Sequence, residues 1–107
     1  MVEEQALLPM RVALTGVSGV TEKRMMGGVC FLVNGNMLGG VNKDRYMFRV
    51  GKELEAEALA RPGAEPMVHG GRRMGGLVWV DRAACQESAL DGWVALALRF
   101  AGELPPK

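Results

Sequence analysis

The side chains able to do chemistry are few. There is one histidine, His69, and two cysteines, Cys30 and Cys85, far apart and without a Cys-x-x-Cys pair. A structural zinc site needs four such ligands brought together, so no metal site is expected. Cys85, His69 and Asp81 are the right types for a nucleophile, a base and an orienting group. Nothing in their surroundings marks such a site, and cysteine is among the most buried residue types. The plainer expectation is a core thiol and a strand-end histidine. The acidic pairs Glu3/Glu4 and Glu53/Glu55 stand where helices should begin, and the helix dipole accounts for them there. Gly16-Val17-Ser18-Gly19 has no helix behind it. Gly51-Lys52 is followed by Glu53 and has no phosphate loop before it. Neither the dinucleotide fingerprint nor the P-loop is present, so no cofactor is expected and the chain reads as non-enzymatic.

Recognition chemistry is better represented. Lys23 and Arg24 precede Met25-Met26, Arg45 and Arg49 flank Met47, and Arg72 and Arg73 follow a glycine pair. Gathered on one sheet face or rim, Lys23, Arg24, Met25, Arg45, Met47, Arg49, Arg72 and Arg73 would form a patch for a partner or an anion. The alternative is a solvated rim, because charged side chains commonly deter pairing at sheet edges. The chain holds eight methionines, whose flexible thioethers suit adaptable interfaces and also fill core gaps. Few aromatics interleave with the basic residues, so base stacking is not indicated.

The elements that must position these residues centre on Val20–Val50. Asn34-Gly35, between VCFLV and Met37-Leu38, predicts a type I′ turn, which needs positive φ at both positions. A two-residue turn sets Val33 opposite Asn36, Leu32 opposite Met37, Phe31 opposite Leu38 and Cys30 opposite Gly39. Val29, Phe31, Val33 and Leu38 then share one face, and Cys30, Leu32, Met37 and Val41 the other. Both faces are apolar, which predicts a mid-sheet hairpin with something covering each side. Asn42-Lys43-Asp44 supplies the next turn. After it, Tyr46, Phe48 and Val50 alternate with Arg45, Met47 and Arg49.

Around this centre, residues 3–14 read as a helix with Leu7, Met10 and Leu14 inward. Either the helix kinks at Pro9, or Pro9 is its first position and residues 1–8 fray. A strand over 21–26 follows. A helix over 52–60, with Gly51 as N-cap, ends at Arg61-Pro62-Gly63. Strands are expected over 65–69 and 77–80, the latter apolar on both faces. A last helix over 89–103 opens on a capping box, Ser88 to Asp91, and buries Leu90, Trp93, Ala97, Phe100 and Leu104. The order is α-β-β-β-β-α-β-β-α. The links are too short for parallel crossovers. The fold class is therefore α+β: a twisted, mainly antiparallel sheet of five to six strands with three flanking helices.

A length of 107 residues implies one domain over 1–107 with a core of its own. A formal net charge of +1 gives no global field to draw nucleic acid or anionic lipid. The N-terminus begins with two glutamates after Met1-Val2 and lacks a secretory leader pattern. No apolar run approaches the ~20 residues of a membrane span. Unpaired cysteines in such a chain indicate a reducing, cytoplasmic setting.

One stretch carries a family resemblance. Lys23-Arg24-Met25-Met26-Gly27-Gly28, Cys30-Phe31-Leu32-Val33-Asn34-Gly35-Asn36-Met37 and Phe48-Arg49-Val50-Gly51 resemble the hallmark of the TfoX/Sxy N-terminal domain family. Met26 stands where the family often has Phe, a volume-tolerant change. Arg61-Pro62-Gly63-Ala64, Gly75-Gly76-Leu77-Val78-Trp79-Val80-Asp81 and Trp93 extend the resemblance over nearly the whole chain. The resemblance implies a bacterial, cytoplasmic regulatory module working through protein contacts. Full-length competence regulators of the family carry a second, C-terminal domain, which this chain is too short to hold. A protein partner or homodimer is the leading expectation, without metal or membrane. The alternative is nucleic-acid binding through the Arg/Lys patch.

Overall fold

The computed structural model describes residues 4–25, 27–42, 45–86 and 88–106, and of Met25 the backbone only. Helix α1 (Glu4–Ala13) leads into strands β1 (Val20–Met25), β2 (Gly28–Val33), β3 (Asn36–Val41) and β4 (Arg45–Arg49). Helix α2 (Glu55–Leu59), strands β5 (Ala64–His69) and β6 (Arg72–Asp81), a 3-10 turn at Arg82–Ala84 and helix α3 (Ser88–Ala101) complete the chain. The strands form one antiparallel sheet in the order β1-β2-β3-β4-β6-β5. This is the expected α+β class and element order.

The Asn34-Gly35 turn forms as the dipeptide dictates, with φ of 52° and 83°. Gly70-Gly71 makes a second such turn, φ 59° and 77°, closing the β5–β6 hairpin at His69 and Arg72. The expected β2–β3 register holds for Val33–Asn36 and Leu32–Met37 and then slips. A bulge puts Phe31 opposite Gly39, Cys30 opposite Gly40 and Val29 opposite Val41. Leu38 is the extra residue, and every position beyond it changes face. Val41 therefore joins Val29 and Tyr46 in the core, not Cys30 and Met37 as strict alternation predicted. The predicted turn at residues 42–44 falls partly outside the described residues.

One face of the sheet carries the core. Phe31, Leu38, Val41, Phe48, Val78 and Val80 project from it onto Leu7 and Met10 of α1, Ala58 of α2, and Leu90, Trp93 and Ala97 of α3. The Phe48 and Trp93 rings stack 5.3 Å apart, and Tyr46 tilts against Phe48. In α3, Val94, Leu96 and Ala101 are also buried, whereas Phe100 and Leu104 stay half-buried. Pro9 lies inside α1, which begins at Glu4, so Pro9 is not the first helical position. The carbonyl its ring deprives of a helical partner is that of Gln5, and both residues are exposed, so water can serve that oxygen.

Two caps differ from expectation. Helix α2 starts at Glu55, with Leu54 before it, and is shorter than predicted. Gly51 instead adopts φ +81°, and a Cβ there would meet the Phe100 ring. Helix α3 already includes Ser88, so Ser88 is not its N-cap. Asn36 is the one buried polar side chain among the described residues. Its amide donates to the Pro105 carbonyl at 2.9 Å, tying the C-terminal segment to the start of β3.

Candidate functional site

The helices cover one face of the sheet, and among the described residues no helix covers the opposite, open face. The predicted cover on each side of the central hairpin is present on one side only. A single row of cross-strand partners runs the width of this open face: Lys23, Cys30, Gly40, Met47, Trp79, Glu65. Successive strands contribute one residue each, so these six share a face by the pleat alone. Leu32, Met37 and Leu77 lie on the same side one step along their strands.

The open face is not flat. The β5–β6 hairpin bends over it, because the β5–β6 register shifts between Pro66 and Val68 and β6 turns at Gly76, φ +81°. The bend is fixed from behind. The Glu55 carboxylate accepts from the Gly76 N–H at 2.8 Å and from Arg73 at 2.7 Å, while the Gly76 carbonyl accepts from Val50 and Gly51. The result is a groove of about 390 Å³. Gly28 and Gly40 make its floor, and Cys30, Met37, Met47, Met67, Leu77 and Trp79 make its walls. Met67 is buried inside it, apart from the main core, while Val68 is 57% exposed and Met74 38% exposed along its lip.

The eight residues singled out from sequence disperse. Lys23 and Met47 are on the open face. Arg45 is there too, its guanidinium 4.1 Å from the centre of the Trp79 ring. Arg49 reaches the Phe100 ring at 5.1 Å. Arg24 is on the helix side, bonded to Glu4 at 3.0 Å, in a network with Arg11 and Glu22 that fastens α1 to β1. Arg73 is committed to Glu55, Arg72 is exposed beside the hairpin turn, and the Met25 side chain lies outside the described residues. The groove residues Cys30, Met37, Met67, Met74, Leu77 and Trp79 were not among those eight. Their signal was parity: each sits on the second apolar face of its strand or on the hairpin beside it.

Cys85, His69 and Asp81 are not brought together at the groove. Cys85 is buried in the core beneath the other face, and burial pushes its thiol up to about 12. His69 is exposed at the hairpin tip, and Asp81, at the far end of β6, accepts from the Ala83 N–H at 3.3 Å. Cys30 is half-buried; burial raises its pKa, against a smaller lowering by the Lys23 charge. Among the described residues no three His, Cys, Asp or Glu side chains are grouped to hold a metal. Among them, too, no helix is long and apolar enough to cross a membrane. A second hollow of about 340 Å³, between Lys52–Leu54 and Arg99–Glu103, has mixed charged and apolar walls.

A sheet with helices on one face and a methionine-lined groove on the other defines a small α+β module. Residues 13–101 match the family model of the TfoX N-terminal domain. The match spans most of the chain, which therefore belongs to the TfoX N-terminal domain family and is a TfoX-like regulatory module. No curated protein and no solved structure matches it.

Proposed function

We propose that this domain is a non-enzymatic regulatory module that works through protein contacts made by its open sheet face. The observation that carries the reading is the groove itself. Met37, Met47, Leu77 and Trp79 remain half-exposed on a face that no helix covers. Large apolar side chains clustered at a surface mark interaction sites, and methionine is over-represented where a surface must adapt to its partner. Two free cysteines fit a reducing cytoplasmic setting. A nucleic-acid reading has less support. Arg24 and Arg73 are held in ion pairs, and Arg45 and Arg49 lie over aromatic rings on separate parts of the surface.

The test uses two immobilised baits, wild type and Met47→Asp, whose thermal stabilities are first shown to match. The prey includes a differently tagged copy of the chain itself. The reading expects a protein held by wild type and lost by Met47→Asp. Equal retention by both baits, or by neither, overturns it.

A further inference from the structure

Resting on the reading of the open face as a docking surface, the geometry points to a second copy of this chain as its occupant, packed face to face about a two-fold axis parallel to the strands. The argument lies in the row that crosses the sheet. Numbered by strand position, it reads Lys23, Cys30, Gly40, Met47, Trp79, Glu65. A two-fold axis between two such faces, parallel to the strands, reverses this order in the second copy. The first position then meets the sixth, the second the fifth, and the third the fourth.

The reversed row is complementary at every position. Lys23 faces Glu65 of the second copy, a cation against a carboxylate. Cys30, small, faces Trp79. Gly40, with no side chain, faces Met47; a Cβ at Gly40 would meet the Val29 carbonyl oxygen at 2.9 Å, so the closeness of the neighbouring strand keeps that position without a side chain. Each copy thus offers a trough over Cys30 and Gly40 beside a ridge of Met47 and Trp79. Trough and ridge exchange under the axis, which is the self-complementarity an isologous interface requires. Two sheets packed this way stack ~10 Å apart, with strands close to parallel at the axis and diverging away from it with the twist of each sheet. The match is tightest at the central Gly40–Met47 pair, and the flexible Lys23 and Glu65 side chains absorb the divergence at the ends.

The size of the face sets the strength. Five strand spacings make it ~24 Å wide, and strands of this length run ~17–20 Å. The β5–β6 hairpin stands over part of this face, so each copy would cover at most roughly 400–500 Å², against about 800 Å² per partner in a standard interface. The pair is weak and reversible, formed at high local concentration.

Sedimentation velocity over a concentration series reads the association, with circular dichroism confirming the fold of each variant. The mass should rise from 11.5 kDa toward twice that value. Lys23→Glu and Glu65→Lys each set like charges face to face twice per pair, and each should weaken association by about tenfold. Mixing the two variants restores opposite charges at both contacts and should restore association. A second readout is independent of charge. Positions 30 and 79 of one chain lie three strands apart, ~14 Å, whereas facing positions of two stacked sheets lie ~10 Å apart. In Trp79→Cys, a short bis-maleimide matched to the ~10 Å gap should therefore link Cys30 to the new thiol of another copy, and Cys30→Ser should abolish that link.

A monomer at every concentration overturns the inference. So does a dimer indifferent to both charge variants and giving no link between positions 30 and 79. If the chain stays monomeric while the wild-type bait, and not Met47→Asp, holds a different protein, the docking reading stands and the occupant is that protein. If neither bait holds anything, both readings fall.

Discussion

Replacing Glu55 tests the device that shapes the groove. Its side chain is 13% exposed, and its two oxygens have separate tasks. One accepts from the Gly76 N–H at 2.8 Å; the other accepts from both Nε and Nη2 of Arg73. Glu55→Ala orphans the amide of a buried glycine, which removes a charge-assisted bond of about 1.5–3 kcal/mol. Arg73 is 56% exposed, so its lost ion pair adds no more than ~1 kcal/mol. The expected loss is about 2–3 kcal/mol, or roughly 8–20 °C in Tm for a domain of this size. Glu55→Gln keeps an oxygen for Gly76 and should lose only about 1 kcal/mol. Urea denaturation measures both, and hydrogen exchange at the Gly76 amide should speed up in the alanine variant before exchange elsewhere in the sheet. The Gly76 bond, then Arg73, holds the Glu55 carboxyl below its ordinary value of 4.5. A lowered folded-state pKa gives stability that is complete above 4.5 and fades as pH falls through the folded value. The gap between wild type and Glu55→Gln should therefore close in acid. An alanine variant within 0.5 kcal/mol of wild type (about the scatter of neutral surface changes), or a Gln gap that persists on the acid limb, refutes the latch.

Three further outcomes follow from single contacts. Gly51→Ala forces a side chain into φ +81° and against the Phe100 ring; it should destabilise by about 2–4 kcal/mol in urea titration. Phe48→Ala empties a fully buried site stacked on Trp93 and should lose about 3–5 kcal/mol by the same measurement. A thiol reagent should modify Cys30 alone in the folded protein, since Cys85 is 1% exposed with its pKa near 12. Cys85 should react only on unfolding, and equal rates at the two thiols would contradict the burial described.

Local chemistry was legible where one dipeptide decides the backbone. Asn34-Gly35 fixed its turn and the first two pairs beyond it, because only a few residues accept consecutive positive φ. The slip at Leu38 was not legible, since a bulge depends on how both neighbouring strands settle around Gly39 and Gly40. One misplaced residue then moved Val41 across the sheet. Parity put Met37 with Cys30 and Met47 with Arg45 and Arg49, but which faces the helices would choose depends on the packing of Leu7, Ala58 and Trp93, far away in sequence. The fastening by Glu55 had no local signature either: its partners Arg73 and Gly76 come from another hairpin, and the helix dipole already explained an acid at that place.

The outermost strand has a consequence for growth. Pro66 sits in β5 opposite Val78, and proline is tolerated in a ladder where its nitrogen points away from the neighbour. That margin therefore lacks a donor another strand would need, and its regular spacing breaks just beyond, before Val68. The opposite margin, β1, carries Glu22, Lys23 and Arg24 in succession. Neither side invites a neighbour to extend the ribbon. Copies of this chain that meet by their broad surfaces would satisfy each other and stop at two, without a route to filaments.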